Sequence, residues 1–144
     1  MTRIQLLLAA AILGLAQMAA AAGVPAQLHK NPDCFCCEVY AKYLRTHGYE
    51  VEVIPSHDLP LIKAEHKVPR ALEGCHTTLI AGYVFEGHIP VESIDKVLRE
   101  RPKIRGLSVP GMPAGSPGMG GEKSEPLKVY VLDDSATPRV YAVH

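Results

Sequence analysis

Four cysteines carry the chemistry that this sequence can be expected to perform. Cys34, Cys36 and Cys37 lie within four residues of one another, and Cys75 stands alone further along the chain. The thiolate form of cysteine is both a nucleophile and a metal ligand. Thiolates are soft donors that select Cu(I), Zn(II) or iron–sulfur centres over hard cations. The pattern therefore indicates either metal binding or thiol redox chemistry.

The first three cysteines stand where a turn runs into a helix. The Asn-Pro-Asp sequence at 31–33 is typical of a turn, and a helix is predicted over 37–47, with Gly48 at its C-terminal end. The prediction depends on apolar residues at helical spacing, namely Val39, Tyr40, Tyr43 and Leu44. A helix N-terminus favours the thiolate form, because backbone N–H groups and the helix dipole stabilise negative charge there.

The spacing of the cysteines favours several bridged ions over one. Cys34 and Cys37 are three residues apart and share a helix face, whereas Cys36 is expected to point elsewhere. One tetrahedral ion does not readily collect all three thiolates. Cu(I) accepts two or three thiolates and tolerates bridging sulfurs, and four Cu(I) with four thiolates would be electrically neutral, which avoids the cost of a buried charge. Copper is therefore the metal that we expect.

Two other interpretations of the cysteines stay open. Exported proteins with an even number of cysteines commonly use them in structural disulfides. That interpretation requires different partners for the adjacent Cys36 and Cys37, although only Cys75 is distant. Alternatively, the chain is a thiol–disulfide oxidoreductase with Cys34 as the nucleophile and Cys37 as the resolving thiol.

Further donors are weaker candidates as metal ligands. His76 adjoins Cys75, and His88 follows a turn at Gly87 that can direct it towards the cysteines. Imidazole suits copper, but a lone histidine is equally compatible with a surface or core position. Met112 and Met119 offer thioethers on a glycine-rich loop, and packing beneath that loop is the alternative role for them.

The order of predicted elements places these residues in an α/β fold. The hydrophobic pattern predicts β-α-β-α-β-β-α, followed by a Gly/Pro-rich loop at 106–121, with no regular structure, and a C-terminal β-hairpin. The seven predicted elements span 26–30, 37–47, 49–54, 59–67, 77–81, 83–86 and 91–99, and the hairpin strands span 127–132 and 140–143.

The N-terminal segment predicts export. Arg3 precedes an apolar stretch at 4–15, and small residues follow at 19–22, as in a secretory signal peptide. We therefore expect a signal peptide at 1–22, one domain at 23–144, and no membrane anchor after cleavage. Lys and Arg balance Asp and Glu at 15 each, so no basic surplus points to nucleic acid or an anionic membrane.

The predicted elements resemble the thioredoxin fold over about 26–101. Cys34 and Cys37 match the Cys-x-x-Cys positions of that fold, although Phe35 and Cys36 replace the usual intervening pair. The fold normally has a cis-proline before its third strand, facing the cysteines. The corresponding stretch here, 74–77, contains no proline and supplies Cys75. This difference argues against an ordinary thiol–disulfide oxidoreductase.

Five motifs together resemble the CopG family of exported copper-resistance proteins. They are Asn-Pro-Asp-Cys-Phe-Cys-Cys (31–37), Gly-Cys-His-Thr-Thr (74–78), Gly-Tyr-Val-Phe-Glu-Gly-His-Ile-Pro (82–90), Arg-Gly-Leu-Ser-Val-Pro-Gly-Met-Pro (105–113) and Gly-Ser-Pro-Gly-Met (115–119). The resemblance implies a thioredoxin-like scaffold in the periplasm, with Cu(I) in a thiolate-bridged cluster. It also implies a role in copper tolerance, a redox step between Cu(I) and Cu(II), and exchange with other envelope copper-handling proteins. The ligands carried over by this resemblance are Cys34, Cys36, Cys37 and Cys75.

Overall fold

A computed structural model describes residues 22–144, so the predicted signal peptide lies outside the described residues, except for Ala22. The described part has seven strands and three α-helices. In chain order they are β1 (Val24–Lys30), α1 (Phe35–Thr46), β2 (Tyr49–Pro55), α2 (Leu59–Glu65), a 3-10 turn (Arg70–Leu72), β3 (His76–Ile80), β4 (Tyr83–Glu86), α3 (Val91–Glu100), β5 (Gly106–Ser108), β6 (Lys128–Leu132) and β7 (Val140–Val143). The predicted order of elements and the C-terminal hairpin are confirmed.

The seven strands form one mixed sheet in the order β2-β1-β3-β4-β5-β6-β7. Strand β1 pairs in parallel with β2 and antiparallel with β3, and β3 pairs antiparallel with β4. Strand β4 then pairs in parallel with β5, and β6 pairs antiparallel with both β5 and β7. The chain is therefore a mixed α/β protein, as the sequence predicts.

Helices α1 and α3 bury their apolar stripes against the sheet. In α1 the buried residues recur at the spacing of one helix face, and α3 shows the same pattern. They are Cys37, Tyr40, Ala41 and Leu44 in α1, and Val91, Ile94 and Val97 among the apolar residues of α3. A smaller cluster of Val68, Leu72, Val84 and Leu132 is also buried.

Helix α1 begins two residues earlier than predicted. It starts at Phe35, and Cys34 is its N-cap residue, with extended backbone angles. Cys36 and Cys37 both belong to the first turn of the helix, where backbone N–H groups lack partners within the helix. The turn residues before Cys34 concealed this start, because they break the apolar pattern on which the prediction depended.

The prediction that 106–121 lacks regular structure is wrong at its start, because Gly106–Ser108 forms β5. A Cβ on Gly106 would lie 1.7 Å from the Val84 carbonyl oxygen. The glycine is there because the backbones of β4 and β5 approach closely, and not because the chain turns. Gly111 also makes an isolated parallel bridge with Gly74, which fastens the remainder of the loop beside Cys75.

The topology brings the ends of several strands together at one end of the sheet. Lys30 at the end of β1 pairs with His76 at the start of β3, and Glu86 at the end of β4 pairs with Thr77. The start of α1 follows β1 at this same end. Within residues 22–144, no helix is long and apolar enough to cross a membrane.

Candidate metal centre

A buried lysine shapes the turn that leads into the cysteines. The Lys30 ammonium donates to the carbonyl oxygens of Asn31 and Pro32, at 3.2 and 2.9 Å. It also lies 3.1 Å from a carboxylate oxygen of Glu38 in the first turn of α1. The Cys34 N–H donates to the Asn31 carbonyl at 3.0 Å. These bonds tie the end of β1 to the start of α1 and so set the direction of Cys34.

The four cysteines converge at the N-terminus of α1. Their sulfurs all lie within 4.8 Å of one another, and we call Cys34, Cys36, Cys37 and Cys75 the four-cysteine cluster. The Cys36 sulfur is 3.5 Å from that of Cys34 and 3.8 Å from that of Cys75. The expectation that Cys36 points elsewhere is therefore wrong. The expectation treated Cys34 as a helical residue. Because its backbone is extended, the spacing rule for helix faces does not apply to Cys34 and Cys36.

Two of the four cysteines are joined in this structure. Cys34 and Cys37 form a disulfide, and Cys36 and Cys75 are free thiols. Cys37 is fully buried, whereas Cys34 keeps partial exposure. The Cys37 sulfur is 3.7 Å from that of Cys75. Each free thiol therefore lies close to the disulfide, and reduction would present four thiols in one place.

A buried ion pair between Lys63 and Glu86 supports the backbone next to Cys75. Glu86 has no exposure to solvent, and its carboxylate accepts hydrogen bonds from the Lys63 ammonium, from Thr77 Oγ1 at 2.6 Å and from the Gly74 N–H at 2.7 Å. Burial raises the pKa of Glu86, and the neighbouring Lys63 opposes that shift. Because Gly74 directly precedes Cys75, this network fixes the backbone that carries the fourth thiol.

Two buried histidines, His76 and His88, lie next to the Cys75 sulfur. The Cys75 sulfur is 3.0 Å from His88 Nε2 and 3.3 Å from His76 Nδ1. His88 Nδ1 lies 2.6 Å from the Pro117 carbonyl oxygen. A carbonyl oxygen only accepts hydrogen bonds, so Nδ1 carries the proton and Nε2 presents its lone pair to Cys75.

Burial sets the protonation of these groups. It lowers the pKa of His76, an effect that His88 and Lys63 reinforce, and it also lowers the pKa of His88. Both imidazoles are thus neutral near pH 7, which is the form that binds metals. Burial, with the neighbouring Cys36 thiol adding to it, raises the pKa of Cys75 to about 12. A bound cation would instead stabilise the Cys75 thiolate.

The Gly/Pro-rich loop packs against the middle of α1. Gly118, with φ of +79°, packs so closely on Tyr40 that a Cβ would lie 2.9 Å from the Tyr40 backbone nitrogen. Met119 follows it directly. Met112 is 58% exposed and follows Gly111, which is bridged to Gly74. Both predicted methionines therefore belong to loop segments that contact the elements of the four-cysteine cluster.

The sequence patterns did not identify the charged residues that support the centre. Lys30, Lys63 and Glu86 are almost completely buried, but in the sequence they resemble ordinary surface residues of strands and helices. One signal was present, since Glu86 directly follows the apolar Val84 and Phe85 in a short strand. Pairing it with Lys63 requires the tertiary structure.

The donor set suits a soft or borderline metal. Three other sulfurs and two imidazole nitrogens lie near the Cys75 sulfur. Cys75 belongs to both groups of convergent ligands: the four-cysteine cluster and the set Cys75, His76 and His88. Thiolate and imidazole donors select copper, zinc and iron over hard cations.

Comparisons with known proteins agree with the motifs. A family model described as a protein of unknown function, DUF411, matches residues 72–119. None of the curated proteins matches this sequence. Two solved structures, described as copper resistance protein CopG in form 2 and form 1, are each similar to the chain at 36% identity, with a TM-score of 0.77. Each match covers 85% of this chain and 98% of the other.

At this identity and coverage, and with the four cysteines of the quoted motifs converging at one helix N-terminus, the chain belongs to the CopG family of copper resistance proteins.

Proposed function

We propose that this chain is an exported copper-binding protein of copper resistance, which holds several Cu(I) ions in the four-cysteine cluster. The observation that carries the proposal is the convergence of four cysteine sulfurs within 4.8 Å of one another. Such separations allow each sulfur to bridge two ions, and Cu(I) tolerates both low coordination numbers and shared thiolates. The names of the two similar structures support copper as the metal.

Charge supports a polynuclear site. The centre is largely enclosed, since Cys37 is fully buried and the other three sulfur-bearing residues are only partly exposed. Four thiolates alone would place four negative charges in this small volume. Four Cu(I) ions would neutralise them, and neutral assemblies avoid the large cost of burying charge.

The scaffold that we propose is thioredoxin-like over residues 26–101. The sheet order β2-β1-β3-β4, with α1 joining β1 to β2 in parallel, supports this assignment. Strands β5 to β7 would then extend that unit at one edge. In this arrangement the N-terminus of α1 carries the cysteines, which matches the place of a Cys-x-x-Cys pair.

The compartment follows from the predicted signal peptide at 1–22. We propose periplasmic localisation, where the mature chain would acquire copper after export and exchange it with other copper-handling proteins of the envelope. Cell fractionation of the full chain, with N-terminal sequencing of the exported form, tests this. Retention of an uncleaved chain in the cytoplasm would contradict it.

The histidines and methionines near the cluster have roles in copper binding in this proposal. His88 presents an unprotonated Nε2 towards Cys75, and we propose it as an added copper ligand, with His76 next to it. Met112 and Met119 would deliver or remove Cu(I) from the loop side. A redox step between Cu(I) and Cu(II) at this centre is part of the same proposal. Each Cu(I) that is oxidised would pass one electron to an external electron acceptor, and neutral imidazoles suit the oxidised ion better than thioethers do.

Reconstitution tests the cluster. Fully reduced protein is loaded with Cu(I) without oxygen, desalted, and analysed for copper and for thiols protected from alkylation. We expect more than one copper per chain and four protected thiols. Cys75→Ser should lower both the stoichiometry and the retention of copper, whereas His47→Ala, at the other end of α1, should not. Unchanged copper in Cys75→Ser would sink the four-cysteine assignment.

One observation favours a second function. Cys34 and Cys37 form a disulfide at a helix N-terminus, with Cys34 on the accessible side. This arrangement suits a thiol–disulfide oxidoreductase in which the Cys34 thiolate attacks a substrate disulfide and Cys37 resolves the mixed disulfide. Metal-free protein in which Cys34 and Cys37 have first been reduced should then reduce insulin disulfides and itself end as the Cys34–Cys37 disulfide, and Cys34→Ser should abolish the activity. Insulin that stays oxidised would exclude this function.

A further inference from the structure

The disulfide form of the protein still assembles metal ligands. With Cys34 joined to Cys37, two sulfurs of the four-cysteine cluster are removed from metal binding. Cys36 and Cys75 remain as free thiols, and their sulfurs are 3.8 Å apart. The two histidine nitrogens that face Cys75, on His88 and His76, are unaffected by the disulfide. Cys75, His76 and His88 therefore still converge within 4.8 Å of one another, and the Cys36 sulfur adjoins this set through Cys75.

We propose that the disulfide form is a mononuclear zinc-type site, in which Cys36, Cys75, His88 and His76 bind one divalent ion. It goes beyond the copper cluster, because it concerns a different oxidation state of the protein, a different ligand set and a different metal.

The three distances from the Cys75 sulfur to the other ligand atoms are close to those around a single tetrahedral ion. Two sulfurs each ~2.3 Å from such an ion are about 3.8 Å apart, and the Cys36–Cys75 sulfur distance is 3.8 Å. A sulfur and an imidazole nitrogen at ~2.3 and ~2.0 Å are about 3.5 Å apart. The distances from the Cys75 sulfur to His88 Nε2 and His76 Nδ1 are 3.0 and 3.3 Å. An ion that replaces the thiol proton between Cys75 and His88 would need only a small separation of these atoms. Cys36 converges with the other cysteines and not with the histidines, so its side chain would turn towards them when the ion binds.

The orientation of His88 is that of a preformed ligand. Its Nδ1–H donates to the Pro117 carbonyl, which fixes the tautomer and aims the Nε2 lone pair at the Cys75 sulfur. Metal-bound histidines almost always use their second nitrogen in this way. His76 Nε2, by contrast, is buried with no hydrogen-bond partner among the described residues, which leaves Nδ1 as the nitrogen directed to the centre.

Charge selects a divalent ion. Two thiolates with one Zn(II) are neutral overall, whereas two thiolates with one Cu(I) leave a negative charge. The histidines are fully buried and Cys75 is largely enclosed, so the neutral combination is favoured. A Cys2His2 tetrahedral set is also a common environment of structural zinc. Oxidation of Cys34 and Cys37 would thus change both the capacity of the centre and its metal preference.

Spectroscopic titration tests the site. Wild-type protein with the Cys34–Cys37 disulfide verified by mass spectrometry is titrated with Co(II), and then with Zn(II). We expect one Co(II) per chain, with the absorption bands of a tetrahedral thiolate complex, and stoichiometric displacement by Zn(II). The double variant Cys34→Ser/Cys37→Ser, which keeps the proposed ligands and lacks the disulfide, should give the same result. The absence of these bands in both proteins would overturn the proposal.

Ligand variants make the assignment specific. Loss of an outer-sphere partner lowers metal affinity ~10–100-fold, so Cys36→Ser and His88→Ala should each lower Zn(II) affinity by more than that. The exposed-histidine control His47→Ala should leave it unchanged, and circular dichroism checks that each variant is folded. Unchanged Zn(II) binding in Cys36→Ser would refute the site.

The result is independent of the copper cluster. That cluster requires Cys34 and Cys37, so the double variant cannot assemble it, yet it retains the zinc-type ligands. Failure of Cu(I) loading in reduced wild-type protein, together with Co(II) binding in the double variant, would refute the copper cluster alone. The reverse result would refute the zinc-type site alone.

Discussion

Replacing Lys63 by methionine would leave Glu86 as a carboxylate with no exposure to solvent and no cation beside it. Thr77 Oγ1 and the Gly74 N–H would still donate to it. Breaking a buried pair by removing one partner costs about 3–5 kcal/mol. We expect Lys63→Met to lose an amount in this range at pH 7.5, which is a large part of the stability of an ordinary domain.

The loss of stability in Lys63→Met should depend on pH, because Glu86 is a buried titratable group. Without Lys63, the folded-state pKa of Glu86 rises further above that of the unfolded chain, because burial already raises it and Lys63 opposes this. Between the two values the folded state binds more protons than the unfolded state. The stability of Lys63→Met relative to wild type should therefore recover as pH falls, by at most about 1.4 kcal/mol per pH unit.

Urea unfolding of the metal-free disulfide form between pH 8 and 5.5 measures both effects. In Lys63→Met/Glu86→Gln the amide oxygen can still accept from the Gly74 N–H, and the amide NH2 can donate to Thr77 Oγ1 in place of the bond that Thr77 donated. The charge is removed, so this variant should regain at least about 2 kcal/mol and lose the added pH dependence. Lys42→Met, at an exposed position of α1, is the matched control. A loss in Lys63→Met below about 1 kcal/mol that does not vary with pH would refute the reasoning.

Two further predictions concern the loop and its strand. Gly106→Ala should destabilise the fold by about 3 kcal/mol, because its Cβ would lie 1.7 Å from the Val84 carbonyl oxygen. The control Gly120→Ala, whose Cβ would have nothing within 4 Å, should change the urea midpoint little. Equal urea midpoints for the two variants would contradict the close approach of β4 and β5. His88→Ala removes the bond to the Pro117 carbonyl, worth about 1 kcal/mol. Hydrogen exchange at 115–119 should then be about fivefold faster, and an unchanged rate would show that this bond does not hold the loop.

Local patterns predicted much of this fold. The stripe of Tyr40 and Leu44 marks α1, and the alternation of Tyr49, Glu50 and Val51 marks β2, because one side of each element faces the core. Strand β5 was not predictable in this way. It has three residues, and Gly106 is indistinguishable in the sequence from a glycine in a turn until the backbone of Val84 is placed against it.

The sequence alone determined which atoms can do chemistry here: three thiols at the start of a helix, a fourth before β3, and motifs that identify the family. The tertiary structure decided how those atoms meet. It turned Cys36 towards Cys75, aimed His88 by means of Pro117, and placed Lys63 against Glu86 behind Gly74. Each of these pairs joins residues far apart in the chain. Only the order of strands in the sheet brings the strands and helices that carry them to the same end of the sheet. Spacing along a chain fixes which face of an element a side chain occupies, but not which distant face it meets.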